Sequence, residues 1–490
     1  MRTDLSASPR RLAAAALAAT LLGGCAVGPD FQRPQTPAAT QYLPEPLAPA
    51  TASAPVAAGE AQRFHQGRDL PRDWWHLFQS PALDALIDQA LKNSPSILAA
   101  EAALKLAHEN MLAQQASFFP AVSVNFNPTR QQVPTGSLTT SAASGAALYN
   151  LHTAQLNISY VPDLFGGTRR AVESLSAQAD SQRFQLEAAQ LALTSNVVVA
   201  AIQEASLRAQ LTALQNIVDA ESRRLELLRG QESAGAAAGA DVVNQEAALA
   251  QVRSAIPLLK KQLAQQRDLI AALAGSLPAD FHFEGIDLAS FRLPQDLPLS
   301  LPSKLVAQRP DVRSAEEQLH AASAQIGVAQ ANRLPQLTLS AGIGSSATAL
   351  SQLFKSGNGF WNLGAGLTQP LFDGGALLHR KLAAEAAYEQ AEALYRNAVI
   401  TAFQNVADAL TALQFDAEAL AEAYNAERAA FKSLEVNRRQ LELGDAALPV
   451  VLAAEHNYQQ ALLNLVQAQA SRLSDTAGLF AALGGGWWKP

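Results

Sequence analysis

A single thiol dominates the chemistry this chain could do. Cys25 is the one cysteine in 490 residues, and it directly follows Leu22-Gly23-Gly24. Before it runs an apolar stretch, Leu12 to Leu22, preceded by Arg2, Arg10 and Arg11. A basic start, a short apolar run and small residues before a cut make a secretory leader. The run is too short to span a bilayer as a stable helix. A cysteine left as the new first residue is an acyl acceptor. Several acyl chains on it would anchor the protein firmly, because each buried CH₂ contributes about 0.8 kcal/mol. A buried cysteine acting as a small hydrophobe is the alternative, and it accounts for neither the position nor the flanks. One cysteine also excludes an internal disulfide framework and a multi-cysteine metal site.

Little else in the sequence points to bond-making. There is no G-x-x-x-x-G-K-[ST] phosphate loop and no H-E-x-x-H pair. The eight histidines are scattered, and His320 and His379 read as solvated or packed side chains on helices. Carboxylates are plentiful, but on a long helix a charge usually marks only a wet face. No Ser/His/Asp arrangement can be drawn. The chain therefore reads as a non-enzyme with no metal and no cofactor beyond a covalent lipid on Cys25. A net charge of −7 with only 16% charged residues argues against nucleic acid as a partner.

These residues need a scaffold, and the chain writes it twice. Pro95 and Pro120 return as Pro310 and Pro335, each second proline opening an alternating run: Val122-Ser123-Val124-Asn125-Phe126 and Leu337-Thr338-Leu339-Ser340-Ala341. Leu164-Phe165 with Gly166-Gly167 returns as Leu371-Phe372 with Gly374-Gly375, and Gly235 with Glu246 returns as Gly444 with Glu455. The order in each half is helix, strand, loop, strand, very long helix, turn, helix. The expected segments are a leader (1–24), a tether rich in Pro, Ala, Thr and Gln (25–72), and two repeats, 73–285 and 286–490. Trp74-Trp75 and Leu77-Phe78 should dock the tether onto the body.

The long helices set the scale. Thr168–Arg229 and Ala376–Leu443 contain neither Gly nor Pro, and each would reach about 90–100 Å as a continuous helix. In the second, Val399, Phe403, Val406, Leu410, Leu413, Ala417, Leu420, Tyr424, Phe431 and Leu434 follow a 4-3 spacing, with Glu427 the one polar member. Leu193, Val197, Ala200, Leu207, Leu211, Leu214, Val218, Leu225 and Leu228 form the matching seam, interrupted by Glu204 and Glu221. This is coiled-coil patterning. Isolated antiparallel hairpins would explain the helices but not the strand pairs at one end.

The strands alternate apolar and polar with period two. Leu156, Ile158 and Tyr160, then Leu337 and Leu339, then Trp361, Leu363 and Leu367 form the apolar set. Lipid outside and water inside would produce this pattern, as would a half-buried soluble strand. After the leader no run of about 18 apolar residues occurs, so no membrane-spanning helix is expected, while a barrel stays open. Membrane barrels begin at about eight strands and allow no free edge, so four per chain force an oligomer.

Several stretches, in order, carry a family resemblance. QRPDVRSAEEQLHAASAQIGVAQANRLPQLTLSAGIG (Gln308–Gly344), QPLFDGG (Gln369–Gly375), VPDLFGGTRRAVES (Val161–Ser174) and CAVGPDFQRP (Cys25–Pro34) resemble the TolC-like outer-membrane efflux factors. Their lipoprotein, NodT-like branch is the most similar, and Leu22–Cys25 resembles the bacterial lipobox. Ala26, where Asp would signal inner-membrane retention, points to the outer membrane.

The resemblance implies an α+β membrane protein. Three chains would share a 12-stranded transmembrane β-barrel, four strands each, continuous with an α-helical coiled-coil barrel across the periplasm. It implies an efflux duct for drugs, metals or other small solutes, joined to a periplasmic adaptor and an inner-membrane pump. A lipidated adaptor or a trimeric coiled-coil surface protein would share some of these features. An adaptor would carry one hairpin between β-rich domains, and a surface protein would not need strand pairs in register before long helices.

By the same resemblance, the turn near Gly444 and the start of the returning helix line the narrowest aperture. Relatives often carry Asp where this chain has Val450 and Ala453; Asp241 lies opposite Val450 in the first half. An apolar constriction around Leu448 and Val450, with Asp445 and Glu442 just outside, would oppose ions by dewetting. The competing reading is that these residues only pack the turn.

Overall fold

A computed structural model describes residues 26–132 and 148–488. Cys25, the expected leader and residues 133–147 lie outside the described residues. In chain order the elements are β1 (Arg63–Gln66), α1 (Pro81–Asn93), α2 (Pro95–Gln115), β2 (Ala121–Gln132), β3 (Leu148–Tyr160), α3 (Gly167–Ser233) and α4 (Gly239–Leu273). There follow β4 (Asp296–Leu299), α5 (Pro302–Gln308), α6 (Pro310–Ala331), β5 (Gln336–Ala347), β6 (Gly359–Thr368), α7 (Ala376–Leu443) and α8 (Leu448–Ala482). They divide between two compact units, one of Met1–Arg33, Lys105–Ser181 and Glu316–Leu394, the other of Pro34–Leu104, Gln182–Ala315 and Tyr395–Pro490. Each unit draws on both halves of the sequence.

The first unit holds a four-stranded antiparallel sheet in the order β2-β3-β5-β6. Opposed residues in an antiparallel pair share a face. Val124 is opposite Leu156, Leu156 opposite Ile343, and Ile343 opposite Trp361, which makes one apolar row across all four strands. The strands are 10–13 residues long, enough for a tilted strand to cross a hydrocarbon layer. Each long helix starts on a carboxylate. Asp163 accepts from the N–H of Thr168 (3.0 Å) and Arg169 (2.9 Å), and Asp373 from Gly375 (2.9 Å) and Leu377 (2.7 Å). These are N-terminal amide groups that the helix itself leaves unpaired.

The segment after Cys25 is not a loose tether in this unit. Val27 N–H donates to Phe165 O, and Gly28 at φ 97° presses so closely on Gly327 that a Cβ would sit 2.4 Å from its Cα. Buried Arg170 donates to Val27 O (3.3 Å), Asp30 (2.5 Å) and Glu173 (2.7 Å). Arg33 pairs with buried Glu316.

The second unit is built on helix seams. Leu214, Val218 and Leu225 of α3 pack with Val242, Leu249 and Val252 of α4. Leu434 of α7 packs with Val451 and Ala454 of α8. α3 runs 67 residues and α7 68, and each ends on the same cap. Gly235 (φ 75°) donates to Glu232 O and Ala236 to Gln231 O; Gly444 (φ 80°) donates to Leu441 O and Asp445 to Gln440 O. Only glycine takes this left-handed position without strain, so these two residues set where the helices turn back. One 18-residue window of α3 reaches a mean hydropathy of 1.2, which corrects the expectation that no helix is apolar enough to cross a membrane. Val197, Val198, Ala200, Ala201 and Ile202 of this helix are buried, and 39% of the apolar window is buried within the chain.

The proline-rich stretch is also less irregular than expected. Arg63–Gln66 pairs in parallel with β4. Arg472 of α8, fully buried, holds the preceding loop through Thr51 Oγ1 (2.8 Å), Glu60 O (2.7 Å) and Ala52 O (3.4 Å). Trp74, Phe78 and Phe480 form a buried aromatic group, with centroids of Trp74 and Phe480 5.6 Å apart, so the expected docking residues are the ones that dock.

Candidate membrane face, pore lining and helix-tip site

The sheet sorts its side chains through its middle; toward the loop end Arg130, Asn150, His152 and Ser345 fall on the apolar face and Tyr149, Leu151 and Phe360 on the other. One face carries Leu156, Ile158 and Tyr160, Leu337 and Leu339, and Trp361, Leu363 and Leu367, together with Ala341, Ile343 and Ala365. Val122, Val124 and Phe126 of β2 extend it and were not singled out from the sequence, although their alternation was visible. Trp361 is 74% and Leu363 75% exposed, a large apolar surface left uncovered by the chain itself. The opposite face carries Ser123, Asn125, Asn127, Thr153, Gln155, Asn157 and Asn362, with Gly342, Gly344 and Gly364 between them. No Asp, Glu, Lys or Arg lies on that face within the strands. β2 and β6 are sheet edges, and no partner strand covers either among the described residues.

At the turn between α7 and α8, the expected aperture residues separate. Leu448 is 5% exposed and faces inward, held by the first turn of α8. Val450, 49% exposed, and Ala453 point outward. Asp445 and Glu442 are exposed beside them, Glu442 paired with Arg439 at 2.8 Å. Asp241, in the first turn of α4, is partly exposed.

The polar residues that interrupt the seams prove to be ionic sites. Glu204 is fully buried and pairs with Arg267 of α4 at 3.0 Å. Glu221 of α3 accepts from the buried Gln245 amide of α4 and lies against Glu455 of α8. Glu455, 8% exposed, pairs with Arg224 of α3 and accepts from Arg438 of α7 at 2.9 and 3.2 Å. Burial pushes the Glu221 carboxyl up to about 7, helped by the neighbouring Glu455. Burial also acts against ionised Glu455, but hydrogen bonds from Glu221, Arg224 and Arg438 outweigh it and hold this carboxyl below its ordinary value. A cavity of about 730 Å³ opens beside the cluster, walled by Phe431, Leu434 and Tyr458. The sequence showed the interruptions at Glu204 and Glu221, but not the partners that come from another helix.

His320 is packed, stacked on Phe31 at 4.4 Å and within 3.0 Å of Glu173. Among the described residues no group of three or more His, Cys, Asp or Glu is placed to hold a metal ion.

The pattern of a family described as outer membrane efflux protein matches residues 86–276 and 301–485. A pyoverdine export outer membrane protein of Pseudomonas putida, OpmQ, is 30% identical over 447 residues, 90% of this chain and 94% of that protein. A toluene efflux pump outer membrane protein, TtgC, also of Pseudomonas putida, is 30% identical over 98% of this chain and 96% of its own length. Among solved structures, the outer-membrane channel OprN superposes with a TM-score of 0.83 at 25% identity, over 94% of this chain and all of its own. The outer membrane protein VceC of Vibrio cholerae gives 0.78 at 28% identity, over 85% and 100%.

Proposed function

Because this chain belongs to the outer membrane efflux protein family, we propose that three copies close their four-stranded sheets into one 12-stranded barrel. The family places the chain in the outer membrane as the exit duct of an efflux system. The observation that carries the assembly is the sheet itself, apolar on one face, neutral and polar on the other, with two open edges. An open edge in hydrocarbon leaves backbone groups without partners, so closure by further copies is required. Apolar residues left exposed along α7, Ile400, Phe415 and Phe431 among them, support helix contact between copies as well.

In this reading the apolar face meets lipid and the amide face lines water. The two sequence repeats, 73–285 and 286–490, each contribute two strands and one helical hairpin. Cys25 carries the lipid, and the residues after it fix the anchor against the first unit through Gly28 and Arg170. The hairpin tips meet a periplasmic adaptor that joins the duct to an inner-membrane pump. At the tips Val450 and Ala453 form the constriction, with Leu448 supporting Val450 from within. The solutes are small organic molecules, two relatives being named for pyoverdine export and toluene efflux.

The test is complementation. Expressed in a strain lacking its own outer-membrane efflux component, together with the matching adaptor and pump, the chain should restore tolerance to antibiotics or solvents. It should run as a heat-labile trimer on unboiled gels. A monomeric, periplasmic, non-complementing protein would overturn the reading.

A further inference from the structure

One polar knot joins all four long helices of the second unit. Glu221 and Arg224 come from α3, Gln245 from α4, Arg438 from α7 and Glu455 from α8. Around it the α3–α4 seam and the α7–α8 seam are apolar. The knot is therefore a polar cross-link between the two hairpins, and its charges do not balance in a simple way. Two guanidinium groups, of Arg224 and Arg438, both serve Glu455. Among the described residues no ion pair is formed by Glu221: Arg224 acts on it only through charge, and its hydrogen-bond partners are the neutral Gln245 amide and the other carboxyl. Glu455 Oε2 has no hydrogen-bond donor apart from what Glu221 can offer.

Two buried carboxyl groups in contact can share a proton, the acid donating to the carboxylate, and both cannot be ionised without repulsion. We infer that Glu221 and Glu455 are bridged by one proton that ties the α3–α4 hairpin to the α7–α8 hairpin, and that losing it loosens this tie and favours opening at the tips.

The balance is a plain dissociation. Glu221 Oε–H releases H⁺ to water through the adjoining cavity, and the hydrogen bond to Glu455 becomes a contact between two carboxylates. The groups that face the pair are Arg224 from α3, neutral Gln245 from α4, Arg438 from α7 and Tyr458 from α8, the last facing Glu427. Glu246 is not part of it, being exposed and paired with Arg229. Burial and Glu427 push the Tyr458 hydroxyl up, further from neutrality. Burial holding Glu221 near 7 places the change close to neutral pH. The duct would then be tighter in an acidified periplasm and easier to open in an alkaline one.

The inference rests on the channel reading above, and the test separates the two. Spin labels at Val243→Cys and Val450→Cys, exposed on the two hairpins near their turns, report hairpin separation in the purified full-length protein without any transport. From about pH 5.5 to about pH 8.5 the distance distribution should shift to longer values, with a midpoint near neutrality and a ratio of open to closed changing at most about tenfold per pH unit. Glu221→Gln, which keeps the hydrogen bond and cannot ionise, should hold the closed distribution at every pH. Glu455→Gln, which removes the charge both arginines serve, should give the longer distances throughout. Single-channel conductance in planar bilayers should follow the same three patterns. A distance distribution independent of pH in the parent, or an unchanged pH response in Glu221→Gln, overturns the inference while leaving the channel reading intact.

Discussion

Arginine placed at Leu363 or at its neighbour Asn362 puts the same charge one residue apart on β6, and the two variants should behave oppositely. Leu363 stands opposite Ala341 in the row that continues through Ile158 to Val122. A guanidinium on that face near the middle of the bilayer costs about 2–4 kcal/mol. In a closed barrel of three copies the penalty enters three times, against a net stability of about 5–15 kcal/mol for an ordinary domain. Asn362 faces the other way, opposite Gly342, where an added Cβ would come within 2.5 Å of Asn362 Oδ1. Because Gly342 has no side chain, an arginine at 362 has room to reach water, and a wet surface change costs no more than about 0.5 kcal/mol. Matched expression followed by unboiled gels and outer-membrane fractionation measures assembly. Leu363→Arg should lose most of its trimer and Asn362→Arg should keep it. If Asn362→Arg assembles no better than Leu363→Arg, the assignment of faces is wrong.

Five further outcomes are expected. Cys25→Ser should be exported without taking up labelled palmitate, and equal labelling of parent and variant would reject the acyl acceptor. Arg472→Met takes the donor from Glu60 O, at about 1–3 kcal/mol for the group left unsatisfied, whereas Thr51 Oγ1 keeps the Gln62 N–H (3.0 Å) and Ala52 O the Thr51 hydroxyl (3.3 Å); limited proteolysis should cut between residues 51 and 62 sooner. Gly444→Ala meets no atom within 4 Å and should cost only the backbone strain of φ 80°, about 1 kcal/mol. Gly275→Ala, which would strike Asn93 O at 2.4 Å, should cost clearly more in denaturant unfolding. Glu221 in the folded chain stands near 7, above its ordinary 4.5, so its share of stability is complete below about 4.5 and lost as pH rises through about 7. The melting temperature should fall across that window in the parent and fall less in Glu221→Gln, where Asp475, also pushed up to about 7 by burial and Asp416, keeps its own share.

The features legible in the sequence are those written in local pattern. α7 begins and ends where the Gly-free and Pro-free stretch does, because nothing inside it breaks a helix and Gly444 can close it. α3 runs past Gly230 to Ser233, since a single glycine costs a helix only about 1 kcal/mol. The apolar face of the sheet followed from period two alone. What stayed hidden depends on partners distant in the chain. β1 is four mostly polar residues, Arg-Phe-His-Gln, and becomes a strand only because Asp296–Leu299 lies alongside. Arg472 looks like any helix arginine until the loop at Thr51 covers it. Glu455 matches Glu246 in the repeat, yet Glu246 is exposed and Glu455 buried, because only the second meets Arg224 and Glu221. At the tip, the pattern placed Leu448 and Val450 together, but a two-residue step along α8, about 200°, sends them in different directions.

The open edges of β2 and β6 also make the protein vulnerable to its own variants. Under the three-copy arrangement, each chain is both a template and a substrate for strand pairing, and a copy that can add at one edge but not the other would terminate the ring. When such a copy and the parent are made in equal amounts, about one ring in eight is free of the defective subunit. A substitution that blocks only β6 should therefore be dominant over the intact gene. A short peptide copying β2 should, for the same reason, act as a chain terminator during biogenesis, while having no hold on barrels that have already closed.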